Sequence, residues 1–266
     1  MTGGPTQPQV FRTLALFYLV TNAKYGSGLS RRRAQRVATR QEREAVTAVL
    51  ESLPATVDSW SDGLASLDAL DVIEVRRPLA TLSSSGRGRW WAGPRVCRPE
   101  LVEHALDGRY DSILVLWPCA PDVAQCGWGC TIGPTPETGG AGFTSISTDH
   151  WQTLATDPDP AQGYVHELLH QVEAVYRGLG LTETELPGLH DAGSFTSTRD
   201  PLEPPFGRSY AEYHDGFGAR PGARTWAPWY RDWMTGRLLP IAPDGTTEAT
   251  GAPIGLTPER WALRSG

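Results

Sequence analysis

The sequence predicts an α+β fold, α/β-like in its N-terminal half, built on a mixed, twisted sheet. Three observations point there. Apolar runs of buried-strand length alternate with stretches of helical period as far as residue 180. One run, Asp111–Trp117 (DSILVLW), is apolar almost throughout and reads as a fully buried strand. Beyond it an alternating segment leads into a strongly periodic helix, after which regularity fades into a Gly-, Pro- and Trp-rich part. No internal repeat is visible.

Taken in order, residues 1–9 are Gly/Pro/Gln-rich and expected to be loose. Phe11–Val20 reads as a buried strand, and the polar, Arg-rich residues 25–40 as a loop. Val46, Val49, Leu50, Leu53, Val57 and Trp60 follow helical spacing, with Pro54 as a kink site. Leu70–Val75 reads as a second strand, 83–95 as a loop carrying Trp90 and Trp91, and Pro99–Leu106 as a short helix. Residues 118–142 are rich in Gly, Pro and Cys. Gly142–Thr148 alternates apolar and polar residues and is expected at a sheet edge, before a short helix near His150–Leu154. Trp226–Leu238 is the last helical stretch, with Trp226, Trp229, Tyr230, Trp233 and Met234 on one face. The whole is read as a single domain, 1–266, in which 181–266 form an irregular C-terminal subdomain.

Composition narrows the function classes. A chain of 266 residues can bury a substantial core. The net charge is −6 and the only basic cluster, Arg31-Arg32-Arg33, is short, so nucleic acid is not an expected partner. No run approaches the roughly 20 apolar residues of a membrane span. The first residues lack a charged n-region and cleavage site, which predicts a cytoplasmic protein, or a secreted one if a leader has been trimmed. Cys97, Cys119, Cys126 and Cys130 fit no common zinc spacing. They read as buried thiols, or in an exported protein as a Cys126–Cys130 or Cys119–Cys126 disulfide. Ten tryptophans predict a large aromatic core or an aromatic-lined cleft, and the oligomeric state stays open.

His166-Glu167-Leu168-Leu169-His170 is an instance of HExxH. On a helix, histidines four apart share one face, about 6 Å apart along the axis, and can grip one metal ion. Asp159-Pro160 offers an N-cap and first-turn proline, and Gly178 and Gly180 a stop. Between them Val165, Leu168, Leu169, Val172, Val175, Tyr176 and Leu179 fill an apolar arc, with His166, His170, Glu173 and Arg177 on an adjacent polar stripe. Catalytic zinc commonly takes three protein ligands and leaves one position open. His190, after the turn-forming Pro187-Gly188, is the leading third ligand for Zn2+. Asp191 and His214 compete with it, and Glu173 suits a carboxylate that orients a histidine.

HExxH behind a buried strand, an alternating strand and a short helix resembles the zincin class of zinc metalloproteases. The resemblance covers roughly residues 110–240. It implies a zincin-like domain with an active-site helix, and an edge strand, here 142–148, that aligns an extended substrate. The metzincin continuation fails, because Glu173 stands at its Gly position and Tyr176 at its last His. The gluzincin continuation has only Glu183 and Glu185 in a short non-helical stretch. A looser likeness is to bacterial zincin-like proteins with an L-H-D step and a W-x-x-W-Y-x-D-x-M helix. Those are matched by Leu189-His190-Asp191 and by Trp226 to Met234.

The expected function is a zinc hydrolase, a peptidase or amidase, in which Glu167 is general base towards water activated at the metal. Tyr210, Tyr213 and His214 are the candidate donors to a developing oxyanion, with Tyr230 a further one. The substrate is a peptide or a small molecule. A biosynthetic zinc enzyme acting on a small non-peptide substrate, and a non-catalytic binding module with a vestigial site, are the alternatives.

Overall fold

A computed structural model describes residues 7–26, 31–86, 88–125, 129–149, 151–154, 159–197, 226–241 and 252–265. The architecture is mixed α+β, as the sequence predicts. Its strands are β1 (Gln9–Tyr18), β2 (Val20–Tyr25), β3 (Arg32–Val37), β4 (Ala65–Val75), β5 (Leu79–Thr81), β6 (Ser83–Gly86), β7 (Arg89–Trp91), β8 (Ser112–Trp117), β9 (Gly129–Ile132), β10 (Gly142–Ser147), β11 (Phe195–Ser197) and β12 (Leu238–Pro240). The helices are α1 (Arg40–Trp60), α2 (Arg98–His104), α3 (Trp151–Leu154), α4 (Gln162–Gly178), α5 (Ala227–Thr235) and α6 (Pro258–Trp261). No helix among the described residues is long and apolar enough to cross a membrane.

The central sheet runs β4-β1-β8-β10-β9. Its first four strands are parallel, and β9 pairs antiparallel with β10 at the edge. Both faces are covered, which explains why all six residues of β8 are buried. Alternate side chains of β1 and β8 feed two cores. Phe11, Ala15, Phe17, Leu114 and Leu116 pack with α1, α4 and α5. Leu14, Leu16, Tyr18, Ile113, Val115 and Trp117 pack with the β2–β3–β5 sheet and α2. Trp117, Trp229, Trp233 and Trp261 are fully buried, so these four serve the core.

Helix α1 begins with a reciprocal capping box between Thr39 and Glu42 and continues through Pro54. Glu42 is fully buried. Its carboxylate accepts from the Arg36 guanidinium at 2.9 Å, from the Thr39 N–H and from the hydroxyl of Thr148 just beyond β10.

Several expectations need correcting. Gln9 is already in β1, and Val20 opens the next strand. The Arg-rich 25–40 segment contains β3, which pairs antiparallel with β2. It is an edge strand held by backbone bonds, so it needs little apolar sequence, and Ala34 is its one buried residue. Residues 83–91 form a hairpin of β6 and β7.

The most consequential correction is at 142–148. Strand β10 is interior and wholly buried, and the edge belongs to β9, inside the Gly-, Pro- and Cys-rich segment. The polar residues of β10 do not face water. The Ser145 hydroxyl accepts from the Ala92 N–H at 3.1 Å and the Trp117 indole at 2.9 Å, and Thr144 accepts from Gln171 at 2.8 Å. Buried hydroxyls with partners imitate the alternation of a half-exposed strand.

Candidate metal centre

Helix α4 lies across β10 and β9. It starts at Gln162 rather than on the expected Asp159-Pro160 cap. Ala161 is the N-cap, and the Asp159 carbonyl accepts from the Gln162 N–H at 2.9 Å. The C-terminus ends as expected. Gly180, at φ +103°, lets its own N–H reach the Arg177 carbonyl at 3.0 Å and the Leu181 N–H reach that of Tyr176 at 3.1 Å. These are the two bonds of a Schellman stop. Val165, Leu168, Leu169, Val172 and Tyr176 are buried in the core, whereas Leu179 is exposed.

The polar stripe is most buried at its first residue. His166 is 6 % exposed, and His170, Glu173 and Arg177 are half-buried. The Nε2 atoms of His166 and His170 stand 3.1 Å apart. Two tetrahedral zinc ligands with bonds of about 2.0–2.1 Å stand about 3.3 Å apart, so the pair is spaced for one ion. The exposed His190 joins them. Its ring centroid is 5.5 Å from that of His166 and 5.0 Å from that of His170. One ligand atom from each of the three lies within 4.8 Å of the others. Among the described residues this is the group that could hold a metal ion, and three imidazoles suit zinc.

The turn that carries His190 is fixed by its neighbours. Trp233 donates its indole N–H to the Pro187 carbonyl at 2.9 Å, and Trp229 to the Leu189 carbonyl at 3.0 Å. Asp191, weighed as a rival ligand, turns its carboxylate back to accept from the Gly188 N–H at 2.9 Å. Glu173 sits as expected for an orienting carboxylate, with Oε2 3.4 Å from His170 Nδ1. Tyr230 was considered as an oxyanion donor. Its hydroxyl instead lies 2.8 Å from His166 Nδ1, on the side of the ring away from the facing Nε2 atoms. Tyr210, Tyr213 and His214 lie outside the described residues, as does Cys126, and with it both disulfide pairings.

Glu167 points towards the sheet edge and is 4 % exposed. Burial pushes its carboxyl up from the ordinary value, opposed by the Thr131 hydroxyl, the nearby His170 and the Gly129 N–H. Thr131 donates to Oε2 at 2.7 Å. Behind it, Thr144 Oγ1 lies 2.8 Å from Thr131 Oγ1, and the Gln171 amide donates to Thr144 at 2.8 Å and to the Ile113 carbonyl at 3.3 Å. The sequence did not single out Thr131, Thr144, Gln171 or Gly129. The available signal was the Gly-Cys-Thr-Ile run of β9, which is short for a strand.

Gly129 gives the carboxylate its room. A Cβ there would stand 2.5 Å from Glu167 Cδ and 2.8 Å from each of its oxygens. Gly129→Ala is expected to destabilise the protein by about 1–3 kcal/mol in urea unfolding, the usual cost of overpacking. Gly178→Ala, which meets nothing within 4 Å, is the control. A Gly129→Ala cost below about 0.5 kcal/mol, the range of neutral surface changes, would mean the carboxylate swings aside freely.

Comparison with protein-family models and with curated proteins found no match.

Proposed function

We propose that this chain is a zinc-dependent hydrolase of the zincin-like kind, a peptidase or amidase acting on a peptide or small-molecule substrate. One observation carries the reading: three imidazoles converge within 4.8 Å beside a buried carboxylate on the same helix. His166, His170 and His190 would hold the ion. When bound, zinc supplies Lewis acidity that acidifies water and polarises a carbonyl.

The remaining chemistry belongs to the chain. Glu167 is the base, taking a proton from the attacking water and passing it to the leaving group. Thr131 fixes the carboxylate's rotation through Oε2. The packed sheet behind Glu167 excludes water from that side.

Metal analysis of single His→Ala variants is the direct test. Wild type should retain one zinc per chain, and His190→Ala should lose it or bind it far more weakly. Full zinc occupancy in His190→Ala would remove that residue from the ligand set. Peptide cleavage that a chelator abolishes and added zinc restores would support hydrolysis.

A further inference from the structure

We infer that Tyr230 is a positioning residue for the metal centre, committing His166 to ligation through Nε2. The inference rests on the zinc reading above and adds a residue to it. A neutral imidazole carries one hydrogen, so a histidine that ligates through Nε2 must bear it on Nδ1. That Nδ1–H needs an acceptor, because His166 is 6 % exposed and water cannot freely serve. The Tyr230 oxygen stands 2.8 Å away.

The tyrosine is itself held in place. Its ring stacks with Trp60, at 6.0 Å and 27°, and with Trp226, at 5.8 Å and 12°. Trp60 comes from the end of α1 and Trp226 from the start of α5. The clamp therefore draws on elements far apart in the chain, and the hydroxyl cannot swing off His166 without unstacking two indoles. The two α4 histidines are oriented differently. His170 faces a carboxylate, Glu173, at 3.4 Å, and His166 faces a phenol. A phenol oxygen fixes the ring and, once Nε2 is given to the ion, accepts the hydrogen left on Nδ1, while adding no formal charge to the buried end of the site.

Tyr230→Phe keeps the stacked ring and removes only the hydroxyl. Zinc affinity would be measured by competition with a chromophoric chelator, and the ligand field by the visible spectrum of the cobalt-substituted protein. The variant should bind zinc about 10–100-fold more weakly, the usual effect of removing such a partner, with a shifted cobalt spectrum. Its metal-free melting temperature should fall by no more than several degrees, the cost of one unpaired buried ring nitrogen, and His166→Ala should abolish binding. Wild-type affinity and an unchanged cobalt spectrum in Tyr230→Phe would overturn the inference and leave the zinc reading standing. A wild-type chain that binds no zinc would overturn both. Should Tyr230→Phe fail to fold, 15N NMR of the zinc-loaded wild type decides. His166 coordinated by Nε2, with its hydrogen on Nδ1, supports the assignment, and coordination by Nδ1 overturns it.

Discussion

Glu167→Gln should bind zinc as wild type does and lose about 10²–10⁴-fold in turnover, the range for removing a general acid–base group. Gln preserves the shape of the side chain and an oxygen that can accept from Thr131, which is 2.7 Å from Oε2 in the parent. What it lacks is the capacity to take up and release a proton. The flanking imidazoles are untouched, so metal content separates a lost base from a lost ion. The measurement is single-turnover hydrolysis of a cleaved peptide, with zinc content determined on the same sample. Wild-type turnover by Glu167→Gln would eliminate the proposed base, whatever the metal does. Because Glu167 is almost fully buried, thermal unfolding of the variant is needed alongside, and a neutral amide in place of a desolvated carboxylate should cost little there.

The largest stability loss is expected at Glu42→Ala, about 3–5 kcal/mol, as when one partner of a buried charged pair is removed. That is a large share of the roughly 5–15 kcal/mol that holds a typical domain together. Glu42 closes the capping box of α1, accepts from Arg36 at 2.9 Å and binds the Thr148 hydroxyl behind β10. Its removal takes a partner from all three groups, and the Thr148 hydroxyl, in a buried residue, has the least access to water. Urea unfolding checks this, with Glu44→Ala as reference. Glu44 makes an exposed i,i+4 pair with Arg40 and should cost less than about 0.5 kcal/mol. Similar losses in the two variants would show that Arg36 and Thr148 find new partners readily.

How much of this was legible depends on which force shaped each element. The α4 pattern and DSILVLW stood out because apolar burial leaves a period in the sequence. Strands β3 and β9 did not, since each is held by backbone pairing at a sheet edge, where side chains need not be apolar. Strand β10 was misplaced because Thr144 and Ser145 are buried against partners that the chain supplies from distant positions. The site divides in the same way. The helical spacing of His166 and His170 is local, and His190 was reachable because Pro187-Gly188 marks a turn back. The hydroxyls of Thr131 and Tyr230 come from β9 and α5 and carry no local mark. Tyr230 was noticed within an aromatic stripe, but which atom it would face is a tertiary fact.

The bonds behind Glu167 also have a direction. The Gln171 amide nitrogen faces the Ile113 carbonyl, so it is a donor, and Thr144 must accept from it. Each threonine hydroxyl owns one hydrogen. That of Thr131 goes to Glu167 Oε2, so that of Thr144 goes to Thr131 at 2.8 Å, in preference to the Glu167 carbonyl at 3.4 Å. The chain is thus polarised one way, from amide to carboxylate, and it ends on Oε2 alone of the two oxygens. The carboxylate is chemically two-fold symmetric, but in this setting the fold has made its two oxygens unequal.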